Sequence, residues 1–331
     1  MATLKDIAQR AGVTATTVSR VINNRGYISE GTRKKVYAAM EEMHYQPNEL
    51  ARAFSKQYTN TIGLIVPHIS HPFFIKVISN LESSAAEKGF KLLLCNSKEQ
   101  PEKEQDYLDM CISNRVAGIV LCSKYVQTRE FRKMNIPVVN LERGGDDDTI
   151  SVQCDNYQGG KLAAEHLIEC GCKNLLHFGG VAGKDMPADR RADGFSDVCK
   201  KAGVPYRILV SDRLQYGSMH YEDFIRRALQ EFPDVDGIFA SSDLIASQVI
   251  QVGAQMGKRV PEDIQLVGFD DVMISTVTTP QITTIHQPVE EMAELCVEYI
   301  TKSLKNEPVP QKIVLPVRLV QRGTTVLKTE I

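Results

Sequence analysis

The 331 residues include no tryptophan, no CxxC pair and no apolar run long enough to cross a bilayer. The missing run excludes a helical membrane protein. The first 20 residues carry Lys5, Asp6, Gln9 and Arg10 and no apolar core of signal-peptide length, so the expected compartment is the cytoplasm. The eight cysteines, at positions 95, 111, 122, 154, 170, 172, 199 and 296, lie scattered through helix-like and strand-like segments and read as buried free thiols, because cytosolic chains rarely keep disulfides. Cys170 and Cys172 beside His166 and His177 do not form a metal site on spacing grounds, since CxC next to a glycine turn matches no structural zinc pattern. No cofactor or metal is expected.

Catalytic fingerprints are missing as well. There is no GxGxxG opening a βαβ unit and no GxSxG elbow. Gly179-Gly180-Val181-Ala182-Gly183-Lys184-Asp185 approaches a phosphate-binding loop, but it is one residue short and Asp185 stands where Ser or Thr would hold Mg²⁺. Asp270 and Asp271 are adjacent, so in an extended segment their side chains diverge and cannot form a close acid pair. These gaps disfavour an α/β enzyme. A solute-binding transport protein, the other rival, would need a signal peptide.

What is present divides unevenly. The length suits a small module plus a large one. Net charge is −2, but residues 1–57 hold nine Lys/Arg against five acids, leaving −6 on the rest. A basic head on an acidic body suggests that only the head meets a polyanion.

Inside the head, Leu4, Ile7, Ala8 and Ala11 share one helical face that stops at Gly12. Thr14 is placed to cap a second helix whose Val18, Val21 and Ile22 point inward, and Ser29 to cap a third carrying Val36, Ala39, Met40 and Met43. Three short helices then share one core and leave Ala15, Thr16, Ser19 and Arg20 on an outer face that fits a major groove. Tyr45-Gln46-Pro47-Asn48 ends the third helix, and residues 49–57 form a helix-capable stretch too short to be stable alone, as expected of a segment that folds on DNA.

From Thr61 the pattern becomes short apolar runs alternating with amphipathic stretches. Strands are expected at 62–66, 92–94 and 118–121, with helices near 73–88 and 102–114; the beat restarts with strands at 174–178, 237–240 and 266–269 and helices near 157–170, 190–202, 218–230 and 243–256. Two wound α/β lobes follow.

Leu4-Lys5-Asp6-Ile7-Ala8, Ala11-Gly12-Val13-Thr14, Thr17-Val18-Ser19-Arg20-Val21-Ile22-Asn23, Tyr45-Gln46-Pro47-Asn48 and Ala51-Arg52 together resemble the lactose-repressor/galactose-repressor family, and the resemblance runs along nearly the whole chain. Gly26-Tyr27-Ile28-Ser29-Glu30 and Cys95-Asn96-Ser97 are most similar to its sucrose-operon-repressor-like subgroup. The resemblance implies a cytoplasmic homodimeric repressor with an all-α helix-turn-helix head (1–47), a hinge helix and linker (48–60) and a two-lobed, periplasmic-binding-protein-like α/β core with parallel sheets (61–331). In that core lobe 1 takes about 61–156 and 288–318, and lobe 2 about 157–287 and 319–331. The partners implied are a pseudo-palindromic double-stranded operator and a small effector, a sugar or phosphorylated sugar.

Carried over residue by residue, the base-reading positions are Ala15, Thr16 and Arg20, of which Arg20 suits a bidentate guanine contact and Ala15 offers only a methyl group. Thr3, Thr14, Ser19 and Asn23 are expected as backbone anchors. The hinge residues Leu50, Ala51, Arg52 and Phe54 are expected at the minor groove, with Phe54 standing where the family usually has a leucine wedge. For the effector the resemblance points to Phe73, Phe74, Glu142, Arg143, Arg191, Arg213, Asp243, Asp270 and Gln287. Asp270 and Arg191 lead, since carboxylate and guanidinium grip paired hydroxyls with two prongs. Asp243 fits a helix cap or a ligand contact equally. Arg213 falls near a second stacking ring that this tryptophan-free chain lacks, with Tyr216 as the substitute if the loop shifts. Arg143, Arg191 and Arg213 together would favour an anionic effector.

Overall fold

A computed structural model describes residues 2–23, 25–45, 58–123, 125, 136–143, 149–181 and 186–327. They fall into two units, residues 1–60 and 61–331.

The first unit has three helices: α1 (Leu4–Ala11), α2 (Ala15–Ile22) and α3 (Glu30–Glu42). Each start is set by a hydroxyl. Thr3 accepts from the Asp6 N–H in a reciprocal capping box, Thr14 from Thr17 and Ser29 from Thr32, which satisfies donors that the first turn leaves open. Gly12 closes α1 at φ 67°, a left-handed conformation that a side chain would strain. Ile7, Ala8, Val18, Val21, Val36 and Ala39 make the shared core. The expected hinge stretch, with Leu50, Ala51, Arg52 and Phe54, lies outside the described residues.

The second unit holds two six-stranded sheets. In the first, strands β1 (Thr61–Val66), β2 (Lys91–Asn96), β3 (Gly118–Leu121), β4 (Val138–Leu141) and β5 (Ile150–Cys154) run parallel, with α4 (Pro72–Glu87) and α5 (Pro101–Ser113) between the early strands. The chain then builds a second sheet from β6 (Leu175–Val181), β7 (Tyr206–Ser211), β8 (Gly237–Ala240), β9 (Gln265–Asp270) and β10 (Thr283–His286). Around it lie α6 (Asn156–Glu169), α7 (Arg190–Ala202), α8 (Arg213–Ser218), α9 (Glu222–Glu231), α10 (Asp243–Gln255) and the single turn α11 (Ile274–Val277). The last stretch returns: α12 (Val289–Leu304) and β11 (Lys312–Leu315) join the first lobe, while β12 (Arg318–Val320) pairs antiparallel with β10 in the second. The chain therefore passes between lobes three times, after Cys154, after His286 and after Leu315.

Continuous apolar runs form the fully buried central strands, as doubly covered parallel sheets require. The helix expected near 218–230 is α9, which starts at Glu222; the short α8 before it is not expected from the sequence and ends where Met219 takes a left-handed φ of 60°.

Candidate functional site

The carboxyl ends of the strands from both lobes face one cleft, where wound sheets place ligands. A cavity of about 150 Å³ lies between them, an order of magnitude more than a single water needs.

Arg191 is set into this cleft by two glycines. A Cβ on Gly160 would stand 2.0 Å from the Arg191 carbonyl oxygen, and one on Gly194 would stand 2.0 Å from the Tyr157 carbonyl oxygen. The backbones of α6 and α7 therefore touch directly. The buried guanidinium is held in place: Nε donates to Asn156 Oδ1 at 2.7 Å, Nη1 to the Ser241 carbonyl at 2.6 Å, and Cζ sits over the Phe269 ring. Asn156 passes the connection to the first lobe, donating to Glu142 Oε2 at 3.0 Å. Glu142 sits at φ 49°, a left-handed kink after β4 that turns its carboxylate back onto the Cys154 N–H.

Asp270 ends β9 at φ 109°, a strained conformation for an aspartate, and Asp271 follows at 54°. The strain is held from below. Asp271 accepts from His286 Nδ1 at 2.8 Å and Arg322 Nη2 at 2.6 Å. Burial pushes its carboxyl up, but the Arg322 and His286 bonds outweigh that and hold it below the ordinary value. Val272 N–H donates to Asp243 Oδ2 at 2.9 Å. Across the cleft, Lys76 of α4 donates to the Asp271 carbonyl at 3.2 Å. Gln287 donates to Asp270 Oδ1 at 2.6 Å. Burial raises the Asp270 carboxyl to about 7, with the Arg191 charge and the Gln287 bond pulling the other way.

The first-lobe lip is aromatic. Phe73 and Phe74 pack edge to face with centroids 5.2 Å apart, and His71 caps α4 by accepting the Phe73 N–H at Nδ1. Burial, with the charges of His68 and Arg191, holds His71 at about 4, so the ring is neutral and able to accept. From the second lobe, Tyr216 places its ring 5.4 Å from His68 and 6.3 Å from His71, bridging the opening.

Of the expected effector residues, Phe73, Phe74, Glu142, Arg191, Asp270 and Gln287 line the cavity. Three do not. Arg213 is exposed at the first residue of α8, because Asp212 caps that helix and turns the side chain to solvent; Tyr216, one turn on, lines the cavity instead. Arg143 is buried and spent on Asn140 Oδ1 at 3.0 Å. Asp243 is neither cap nor lining: Ser242 caps α10, and Asp243 takes Val272 N–H and Thr284 Oγ1 inside the fold. Sequence reasoning missed Asn156, His71 and the serines 123, 211 and 241, which also line or brace the cavity. Asn156 and the serines stand at or just after strand ends and His71 caps a helix, and many such positions are not sites.

On the head, Thr16 and Arg20 are exposed on α2, while Ala15 is half-buried against the core rather than fully outward. Thr3 and Thr14 serve as caps, and Asn23 donates to the Ser19 carbonyl at 2.9 Å. The exposed face and the capped start of α2, with its dipole positive end, can approach a phosphate backbone together.

Comparison with known proteins places these features. Residues 3–48 match the pattern described as "Bacterial regulatory proteins, lacI family", and residues 164–325 that of a "Periplasmic binding protein-like domain". The chain is 34% identical over 326 residues to a ribose operon repressor of Halalkalibacterium halodurans, covering 98% of this chain and 97% of the relative. It is 36% identical over 324 residues to a sucrose operon repressor of Pediococcus pentosaceus, covering 97% and 98%. Among solved structures, a periplasmic binding protein/LacI transcriptional regulator from Alkaliphilus metalliredigens complexed with D-xylulofuranose superposes with a TM-score of 0.73 at 32% identity, covering 81% of this chain and all of the other.

Proposed function

The chain belongs to the lacI family of bacterial regulatory proteins, and from that premise we propose how this member reads DNA and what it binds. It is a sequence-specific DNA-binding repressor whose operator affinity is controlled by a small sugar-like effector, and it is not an enzyme. Such a protein works where the genome is, so we assign it to the cytoplasm; among the described residues no helix is long and apolar enough to cross a membrane.

On DNA, Thr16 and Arg20 of α2 read bases, with the Ala15 methyl group reaching only the groove wall. Thr3, Thr14, Ser19 and Asn23 lie around the helix start and end, where backbone contacts position without specifying. Leu50, Ala51, Arg52 and Phe54 are assigned to the minor groove between the two half-sites of a dimer.

The effector is a neutral sugar, not a phosphorylated one. The supporting observation is the charge of the cleft: among the described residues Glu99, Glu142 and Asp189 line it against the guanidinium of Arg191, and Asp270, raised to about 7, adds a partial negative charge at neutral pH. A dianionic phosphate entering that lining meets like charge at low dielectric, where repulsion is strong. Hydroxyl groups, by contrast, suit carboxylate acceptors and a fixed guanidinium. Phe73, Phe74 and Tyr216 supply the apolar faces for the ring.

A gel-shift on DNA upstream of the gene, repeated with matched free and phosphorylated sugars, tests both halves. The expected result is a specific shift altered by a neutral sugar. Stronger modulation by the phosphorylated form would overturn the charge argument, and no shift would overturn the DNA reading.

A further inference from the structure

Buried polar atoms are almost always hydrogen-bonded, because leaving one unmade costs its full desolvation. Three side chains in this cleft break the rule. Ser123 Oγ, Ser211 Oγ and Gln287 Oε1 have no partner among the described residues, and their side chains are only 3%, 1% and 1% exposed. All three line the same cavity. Ser123 follows β3 in the first lobe, Ser211 ends β7 in the second, and Gln287 lies in the crossing after β10. Neither hydroxyl is used in a hydrogen bond of the fold among the described residues, and Asp212, not Ser211, caps α8.

We infer that Ser123 and Ser211 form a hydroxyl clamp, one jaw on each lobe, that selects an effector carrying hydroxyl groups on opposite edges of its ring, with Gln287 Oε1 taking a third hydroxyl between them. Each element contributes a distinct constraint. The two serines can donate or accept, so they accept any hydroxyl pair at the right separation. Gln287 has already committed its amide to Asp270, so its oxygen is acceptor-only and demands a ligand donor. A ligand that spans both jaws binds only the closed arrangement of the lobes, which is how a small molecule biases one conformation over another. The clamp deepens the sugar reading above and rests on it.

The test uses the full chain with Ser123→Ala and Ser211→Ala. Because neither hydroxyl has a protein partner, the ligand-free variants are expected to melt within about 2 °C of the parent. D-ribose, sucrose, cellobiose and D-xylulose are the probes, followed by calorimetry with the sugar that binds and its single-deoxy analogues. Each variant is expected to bind that sugar roughly five- to tenfold more weakly, the cost of one lost hydrogen bond at a buried site. One deoxy analogue should show no further loss on Ser123→Ala, and a different one none on Ser211→Ala. Unchanged sugar affinity in both variants overturns the clamp and leaves the sugar reading standing. A large fall in melting temperature without sugar overturns it by making the serines structural. If none of the four sugars binds the parent chain, the sugar reading itself fails and the clamp with it.

Discussion

The guanidinium of Arg191 sits over the face of the Phe269 ring, its Cζ 3.5 Å from the ring centroid. One planar fork both spreads over the ring and reaches Asn156 and Ser241. Lysine keeps the charge and loses both properties. Arg191→Lys should weaken effector binding by about 1.5–3 kcal/mol, roughly 10- to 150-fold, while effector-free operator affinity stays unchanged. Calorimetry and gel-shift measure the two separately, and an unchanged effector affinity would remove Arg191 from the site.

The cleft carboxylate predicts an unusual pH profile. The Asp270 carboxyl rises from 3.8 to about 7 through burial, so between those values the folded chain holds a proton that the unfolded chain has released. Its contribution to stability therefore falls as pH rises from about 4 through about 7. His71 and His177 act in the opposite direction: burial lowers each from 6.5 to about 4, so their contribution falls as pH drops through that window. Asp270→Asn removes only the first term. Its denaturation midpoint should fall more steeply from pH 6.5 to 4.5 than that of the parent, and parallel curves would show that Asp270 is ionised throughout.

The contact between α6 and α7 predicts a severe, localised defect. Gly160→Ala puts a methyl group where the Arg191 carbonyl already is, and backbone cannot step aside as a side chain can. Overpacking of this kind typically costs 1–3 kcal/mol and more against backbone. The melting temperature should fall by at least several degrees, with effector response lost before operator binding, because the displaced residue is Arg191 itself. Gly203→Ala, at a left-handed helix end with nothing within 4 Å, is the control for conformational strain alone.

Arg20 is exposed on α2, with the length and geometry for a guanine edge. Arg20→Ala should cost about 1–3 kcal/mol on the proper operator and relax one base position. An equal loss on random DNA would make it a phosphate contact.

Much of this was legible in the sequence. The head was, because helix spacing and hydroxyl caps act locally: Thr3, Thr14 and Ser29 each cap a helix. The central strands were too, since burial on both faces leaves an unbroken apolar run. Strand β7 was not, being an edge strand with Arg207, Ile208 and Val210 exposed and hence no continuous run. Nor were β4, β5 and β10, whose apolar residues are few or interrupted by polar ones.

In the site, Asp270 and Arg191 carry recognisable motifs, but the destination of a long side chain is decided by its neighbours. Arg213 and Arg143 look alike as charges. One is turned to solvent at the start of the helix that Asp212 caps, the other absorbed by Asn140 three residues before it, and charge alone does not distinguish these outcomes. Asp243 shows the same limit, since its partners Val272 and Thr284 lie about 30 and 40 residues away.

The three passages of the chain between lobes have a mechanical consequence. A single tether would let the lobes twist, slide and bend. Three cords attached side by side, after Cys154, His286 and Leu315, resist shear and torsion together and leave bending as the soft direction. Whatever occupies the cleft can then report itself outward as one quantity, an angle, so effectors of different shape can only drive the same output to different extents.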